Sequence, residues 1–147
     1  MVLIEDTRQQ KNKHLNVHRY CQEHNIKIVP MCLNVGDYML TNGNVAIDTK
    51  ANIDELANDL FRDKKAFNKK YKKCYKDNIK LIVLVEEKIK TKKDLLAWKS
   101  QHSKINGRFL LEMINDLKIS YGIDFYFCNK IETGEYLIRL LNGENMK

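Results

Sequence analysis

The sequence predicts an α/β domain: a central mixed β-sheet, one β-hairpin within it, and α-helices on its flanks. Three observations predict it. Short β-branched or apolar runs alternate with longer stretches of helical periodicity, in the order β-α-β-β-β-α-β-α-α-β-α. The dipeptide Asn42-Gly43 separates two strand-like runs, which is the strongest short-range hairpin signal. The chain of 147 residues has one proline and six glycines, too few for a flexible linker. Residues 1–147 therefore read as a single domain, without repeats or low-complexity segments.

Taken in order, Met1–Ile4 is an apolar lead-in that predicts a strand. From about Asn12 to His24 the apolar positions Leu15, Val17, Tyr20 and Cys21 suit a helix, with Asn25 as its stop. Ile26–Val29 is a β-branched strand closed by Pro30. Val35–Leu40 and Val45–Lys50 are the two hairpin strands around Thr41–Asn44. A long helical region runs from about Ile53 to Asp77, opened by Asn52 and Glu55 at capping-box spacing. Lys80–Val85 reads as a fully buried strand, Asp94–Gln101 as a short helix and Ile105–Ser120 as a longer one. Ile123–Cys128 predicts a strand, and Thr133 opens a last helix carrying Tyr136, Leu137, Leu140 and Leu141.

Composition narrows the function classes. Apolar residues make up 44% and charged residues 31%, which excludes a disordered tail. The longest strongly apolar run, Leu81–Val85, falls far short of the ~20 residues a spanning helix needs. Glu5, Asp6 and Arg8 interrupt the N-terminus before a signal-peptide core could form. The expected location is thus the cytoplasm, or the nucleus in a eukaryotic host, with no membrane partner. Cys21, Cys32, Cys74 and Cys128 lie far apart without a C-x-x-C, which argues against zinc and against a disulfide framework. The 26 Lys and Arg exceed the 19 acids by seven, a surplus that suits a polyanionic partner as well as it suits solvated faces.

With Asn42 and Gly43 as the two turn residues, Thr41 pairs with Asn44 and Asp37 stands directly opposite Asp48. Lys50, two residues on, shares that face. Tyr38, Leu40, Val45 and Ile47 gather on the other, a core side. Like charges directly opposite each other destabilise a sheet, so something must offset Asp37 and Asp48. Lys50 offsets part of it, and a hard divalent cation such as Mg2+ or Mn2+ would reverse the sign. An ordinary Asp–Lys pair on a solvated strand face accounts for the same residues.

Gly36-Asp37-Tyr38-x-Leu40 followed by Ile47-Asp48-x-Lys50-x-x-x-Asp54 resembles the nuclease core of the XPF-type structure-specific endonucleases, within the PD-(D/E)-x-K, restriction-endonuclease-like superfamily. Asp6-Thr7-Arg8-Gln9 is similar to the family's opening Asp-x-Arg-Glu. Three positions depart from the pattern: Gln9 stands where the family has Glu, Asp48 where it usually has Glu, and Thr49 where it has Arg. The resemblance implies a restriction-endonuclease-like fold and a metal-dependent DNA endonuclease using Mg2+ or Mn2+ on flaps, forks or junctions in repair, recombination or replication. It implies Asp37 and Asp48 as central metal ligands and Asp6 as an additional metal-binding acid. Lys50 would orient the attacking water and offset transition-state charge, Arg8 would face a phosphate, and Asp54 would be the motif's last acid. A homodimer is implied as well. No helix-hairpin-helix tail follows in this sequence, so a protein partner supplying extra DNA binding is a further expectation.

Simpler readings stand beside these. Asp54 suits a first-turn helix acid favoured by the macrodipole, Asp6 a turn former and Arg8 a surface charge. Along the long helix, Arg62, Lys65, Lys69, Lys72, Lys73 and Lys76 fall within a sector of about 100°, nearly opposite the apolar residues. Such a stripe suits a phosphate backbone, and equally a solvated face. Lys64 falls on the apolar side, which allows a break near Asp63. His14 and His18 read as surface helix histidines, and Trp98 and Phe125–Phe127 as core. Two rival functions remain: a non-catalytic DNA-binding or dimerisation module of the same fold, and a junction resolvase or restriction-type nuclease.

Overall fold

The structure is a computed structural model describing residues 1–8, 14–100 and 104–146. Six strands form one sheet: β1 (Val2–Asp6), β2 (Lys27–Met31), β3 (Tyr38–Leu40), β4 (Val45–Lys50), β5 (Lys80–Val85) and β6 (Asp124–Phe127). Their order is β2-β1-β3-β4-β5-β6. Only β3 runs against its two neighbours; β1 with β2, and β4 with β5 and β6, are parallel. The helices are α1 (Leu15–Glu23), α2 (Ile53–Ala57), α3 (Lys64–Lys76), α4 (Gly107–Tyr121) and α5 (Thr133–Leu141). No helix among the described residues is long and apolar enough to cross a membrane.

The period-two alternation of the strands splits the interior into two cores. Tyr38, Ile47, Ile82 and Leu84 pack on α1 and α5, whereas Ala46, Leu81, Val83 and Val85 pack on α2, α3 and α4. Because β5 is covered on both faces, it reads as an unbroken apolar run. Parallel strands need crossovers, so α2 with α3 carries the chain from β4 to β5, and α4 carries it from β5 to β6. That arrangement places the C-terminal ends of β4, β5 and β6 side by side, with Lys50 paired to Val85 and Val85 to Phe127.

Several boundaries differ from the sequence reading. Pro30 lies inside β2 rather than closing it, which an edge strand tolerates because its outward N–H has no ladder partner to lose. The hairpin pairs Tyr38 with Ile47 and Met39 with Ala46 as expected, but no pairing reaches Thr41 and Asn44. Instead Thr41 N–H bonds to Val2 and Gly43 N–H to Leu40, so the connection is a four-residue loop. The long helix breaks: α2 passes into a π-helical turn at Asn58–Arg62 and restarts after Asp63. Lys92–Ala97 is a 3-10 helix rather than an α-helix ending at Gln101, which lies outside the described residues with Asn12. His18 is exposed and 2.7 Å from Glu5, but His14 is buried, edge-on to the Tyr38 ring. The four cysteines are free thiols, and all but Cys32 are buried.

Candidate active site

Asp48 and Lys50 close β4, and each is only a few per cent exposed (4% and 6%), so two charges stand inside the α2–α3 side of the sheet. Burial of this kind is costly unless the charges are paired. Lys50 Nζ lies 3.4 Å from Asp48 Oδ2 and also pairs with Asp59 of the π-helical turn. A second ammonium, Lys70 Nζ of α3, donates to the same Asp48 Oδ2 at 2.8 Å. Burial would raise the pKa of Asp48, but Lys50 and Lys70 outweigh it and hold the carboxyl below its usual range. Lys50 is likewise held protonated: burial opposes its charge, and Asp48 and Asp59 overcome that.

Asp37 does not share this face. Its N–H bonds to the carbonyl of Ile47, the residue already paired with Tyr38, so two residues of one strand oppose one of the other. Such a β-bulge turns a side chain from its simple alternation, and Gly36 with a φ of +75° makes the turn into it. The Asp37 carboxylate consequently accepts from the Thr49 N–H (2.9 Å) and hydroxyl (2.6 Å). The expected Asp37–Asp48 juxtaposition is thereby corrected, and Thr49 acquires a role in holding Asp37.

Asp6 ends β1 beside this turn, its N–H bonding to the Asp37 carbonyl. Its carboxylate is buried, which would raise its pKa. The Leu33 N–H (2.9 Å) and the Arg8 guanidinium (3.0 Å) reverse that and lower it. Arg8, although its side chain is 64% exposed, directs its donors onto Asp6 and the Leu33 carbonyl rather than outward. Asp54 sits in the first turn of α2, capped by Asn52, and its carboxylate has no hydrogen-bond or ion-pair partner among the described residues. That placement matches the macrodipole account. Gln9 lies outside the described residues.

Hard carboxylate oxygens are the right donors for Mg2+ or Mn2+, and here each of the three acids is engaged by donors of the protein itself. Among the described residues no three His, Cys, Asp or Glu side chains gather to hold a metal. Asp48 faces two ammonium groups, Asp37 is turned onto Thr49, and Asp6 is tied to Arg8 and Leu33.

The six predicted DNA-facing cations, Arg62, Lys65, Lys69, Lys72, Lys73 and Lys76, are all exposed. Arg62 precedes the break at Asp63, so its direction is not set by the phase of α3. The other five share one sector of α3. At 100° per residue Lys70 falls between that sector and the buried Phe67, Tyr71 and Cys74. The exposed basic face thus runs through Lys70 into the buried Asp48–Lys50 pair. Sequence reasoning missed Lys70 and Asp59. Lys70 was detectable as a lysine at i+3 and i−4 from the buried Phe67 and Cys74, a position that asks for a buried counter-charge. Asp59, within the π-helical turn, left no comparable signal.

The family model of the ERCC4 domain matches residues 5–140. Among solved structures, XPF from Aeropyrum pernix matches with a TM-score of 0.73 at 17% identity, over 97% of this chain and 64% of that one. XPF from the same organism in a complex with DNA matches with a TM-score of 0.66 at 18% identity, over 99% of this chain and 67% of that one. The chain therefore spans about two thirds of the length of the structures it matches. No curated protein matches the sequence.

Proposed function

The chain belongs to the ERCC4-domain family, with the XPF-type nuclease fold, and from that premise we propose that it is a DNA endonuclease domain acting on flaps, forks or junctions. The observation that carries this reading is the continuity from the exposed cations of α3, through Lys70, to the buried Asp48–Lys50 pair. The α3 face neutralises the phosphate backbone and sets the strand's path. Lys70 and Lys50 meet the attacked phosphate with fixed positive charge, which stabilises the negative charge that develops in the transition state. Both lysines address Oδ2 of Asp48, which leaves Oδ1 to orient the attacking water. Asp59 keeps Lys50 from following the phosphate out of the site. On the family's pattern the working unit is a homodimer, and a partner protein adds further DNA contacts; sedimentation equilibrium of the purified chain tests the first.

The deciding experiment is cleavage of labelled flap, fork, four-way and linear duplex DNA, with Mg2+, with Mn2+ and with EDTA. Asp48→Ala is expected to lower cleavage by about 100-fold or more, with DNA affinity within about threefold of wild type because the α3 face is untouched. A second reading, a DNA-binding module without catalysis, is favoured by the dispersal of Asp6, Asp37 and Asp48. Folded protein that retains DNA but cuts none of these substrates in any metal would replace the first reading with the second.

A further inference from the structure

A cavity of about 440 Å3 lies along β6, one of the two edge strands of the sheet, and all four residues of that strand line it. That volume is within the range of small-ligand sites. Four lysines line it, Lys88, Lys90, Lys92 and Lys118, against one carboxylate, Asp124. Asp124 is already engaged by Lys80 at 3.0 Å and Lys118 at 3.8 Å. Lys88, Lys90 and Lys92 have no ion-pair partner among the described residues. Burial, and then the nearby Lys118 ammonium, make the charged form of Lys92 less favourable. Cations gathered in a cavity without matching acids are a site for an anion.

The remaining walls are aromatic. Phe125 is fully buried, Phe127 packs half-buried on the same core, and Tyr126 and Tyr136 are half-buried against the other, on the opposite face of the sheet. Tyr126 is fixed by its hydroxyl, which donates to Asn145 at 2.9 Å. Aromatic faces beside cations are the means by which proteins hold unpaired nucleotides. Position adds a third argument. Lys50, Val85 and Phe127 are in register on adjacent parallel strands. With strands about 4.8 Å apart, the backbones of Lys50 and Phe127 are about 10 Å apart. That is about three base steps of duplex rise, and fewer nucleotides of a stretched strand. The acids between the two places are turned onto protein: Glu86 accepts from the Thr133 hydroxyl at 2.7 Å, and Glu87 from the Ile53 N–H at 2.9 Å.

We propose that this cleft holds an unpaired nucleotide of the strand handled at the Asp48–Lys50 site, with its phosphate against Lys88, Lys92 and Lys118 and its base against Tyr126 and Tyr136. The assignment rests on the DNA reading above and names where the single-stranded part of a branched substrate goes. An acidic peptide would satisfy the lysines but has no use for two aromatic walls.

The test uses fluorescence anisotropy with three probes: a blunt duplex, the same duplex with a short unpaired tail, and a single-stranded tetranucleotide. Wild type is expected to gain about tenfold in affinity from the tail and to bind the tetranucleotide weakly. The double variant Lys88→Glu/Lys92→Glu, and separately Tyr136→Leu, are expected to lose both the gain and the tetranucleotide. Their affinity for blunt duplex stays within about twofold, since α3 is unchanged. A wild type with no gain from the tail, or a gain that survives in both variants, overturns the proposal while leaving the DNA reading intact. Absence of blunt-duplex binding sinks the DNA reading; the tetranucleotide then decides the cleft on its own, and failure to bind it overturns the proposal too. Displacement of the tetranucleotide by a poly-glutamate peptide at equal concentration assigns the cleft to acidic peptides and overturns it as well.

Discussion

Asp48 shows how one buried charge ties stability to pH. Its folded pKa is held below the usual carboxylate value of 3.8, because Lys50 and Lys70 outweigh the cost of burial. A depressed acid contributes stability that is fully present above its unfolded pKa and lost as pH falls through the folded one. Asp48→Asn removes one partner of a buried ion pair and is expected to cost about 2 kcal/mol at pH 7. The cost stays below that of breaking an isolated buried pair, because Lys50 keeps Asp59 and Lys70 can turn to solvent. The gap between wild type and variant should close as pH drops below about 4. Urea denaturation at pH 7, 5 and 3 measures it, and a gap that stays constant down to pH 3 would show that Asp48 is not the ionised partner. At this scale the sequence revealed Asp48 and Lys50 together, since i and i+2 on a strand always share a face. It misplaced Asp37, because a bulge cannot be read from a pattern that assumes strict alternation, and Gly36 was the one residue that pointed to it.

Elements show the same division between what periodicity specifies and what contacts decide. Val45–Lys50 and Lys80–Val85 were legible to the residue because their patterns are bounded by loop residues. The helix from Ile53 was legible in extent but not in its break, although Lys64 on the wrong side had marked the place. Asp59 lies in that π-helical turn and pairs with Lys50, and π turns often occur where a function needs such an adjustment. No sequence pattern indicated how closely α5 approaches α1. A Cβ on Gly134 would stand 2.5 Å from the Tyr20 Cβ and 3.2 Å from the Asn16 carbonyl oxygen, so the crossing exists only with glycine there. Gly134→Ala is expected to destabilise the domain by about 1–3 kcal/mol through overpacking, despite alanine's better helix propensity. Thermal unfolding checks this. A variant as stable as wild type would mean that α5 can slide, and that the α1–α5 contact does not fix the β6 end of the molecule.

For the whole molecule, the surplus of seven positive charges was plain from composition, but composition could not say where the charges act. The fold concentrates them on α3 and around β6, on either side of the strand ends that carry Asp48 and Lys50. If α3 tracks a phosphate backbone, DNA affinity must fall with salt in proportion to the phosphates neutralised, with a slope of about 0.9 per contact. Replacing Lys65, Lys69 and Lys72 with glutamine should then lower the slope of log affinity against log salt by about 2 to 3. All three are exposed, so stability should change by no more than about 0.5 kcal/mol for each. Asp48→Ala should leave the slope almost unchanged, because it alters the reacting site and not the docking face. A slope insensitive to the three lysines would move the docking face elsewhere, and the basic edge of β6 would be the first surface to test in its place. A weaker slope together with unchanged cleavage at saturating DNA would separate the residues that hold the strand from those that act on it.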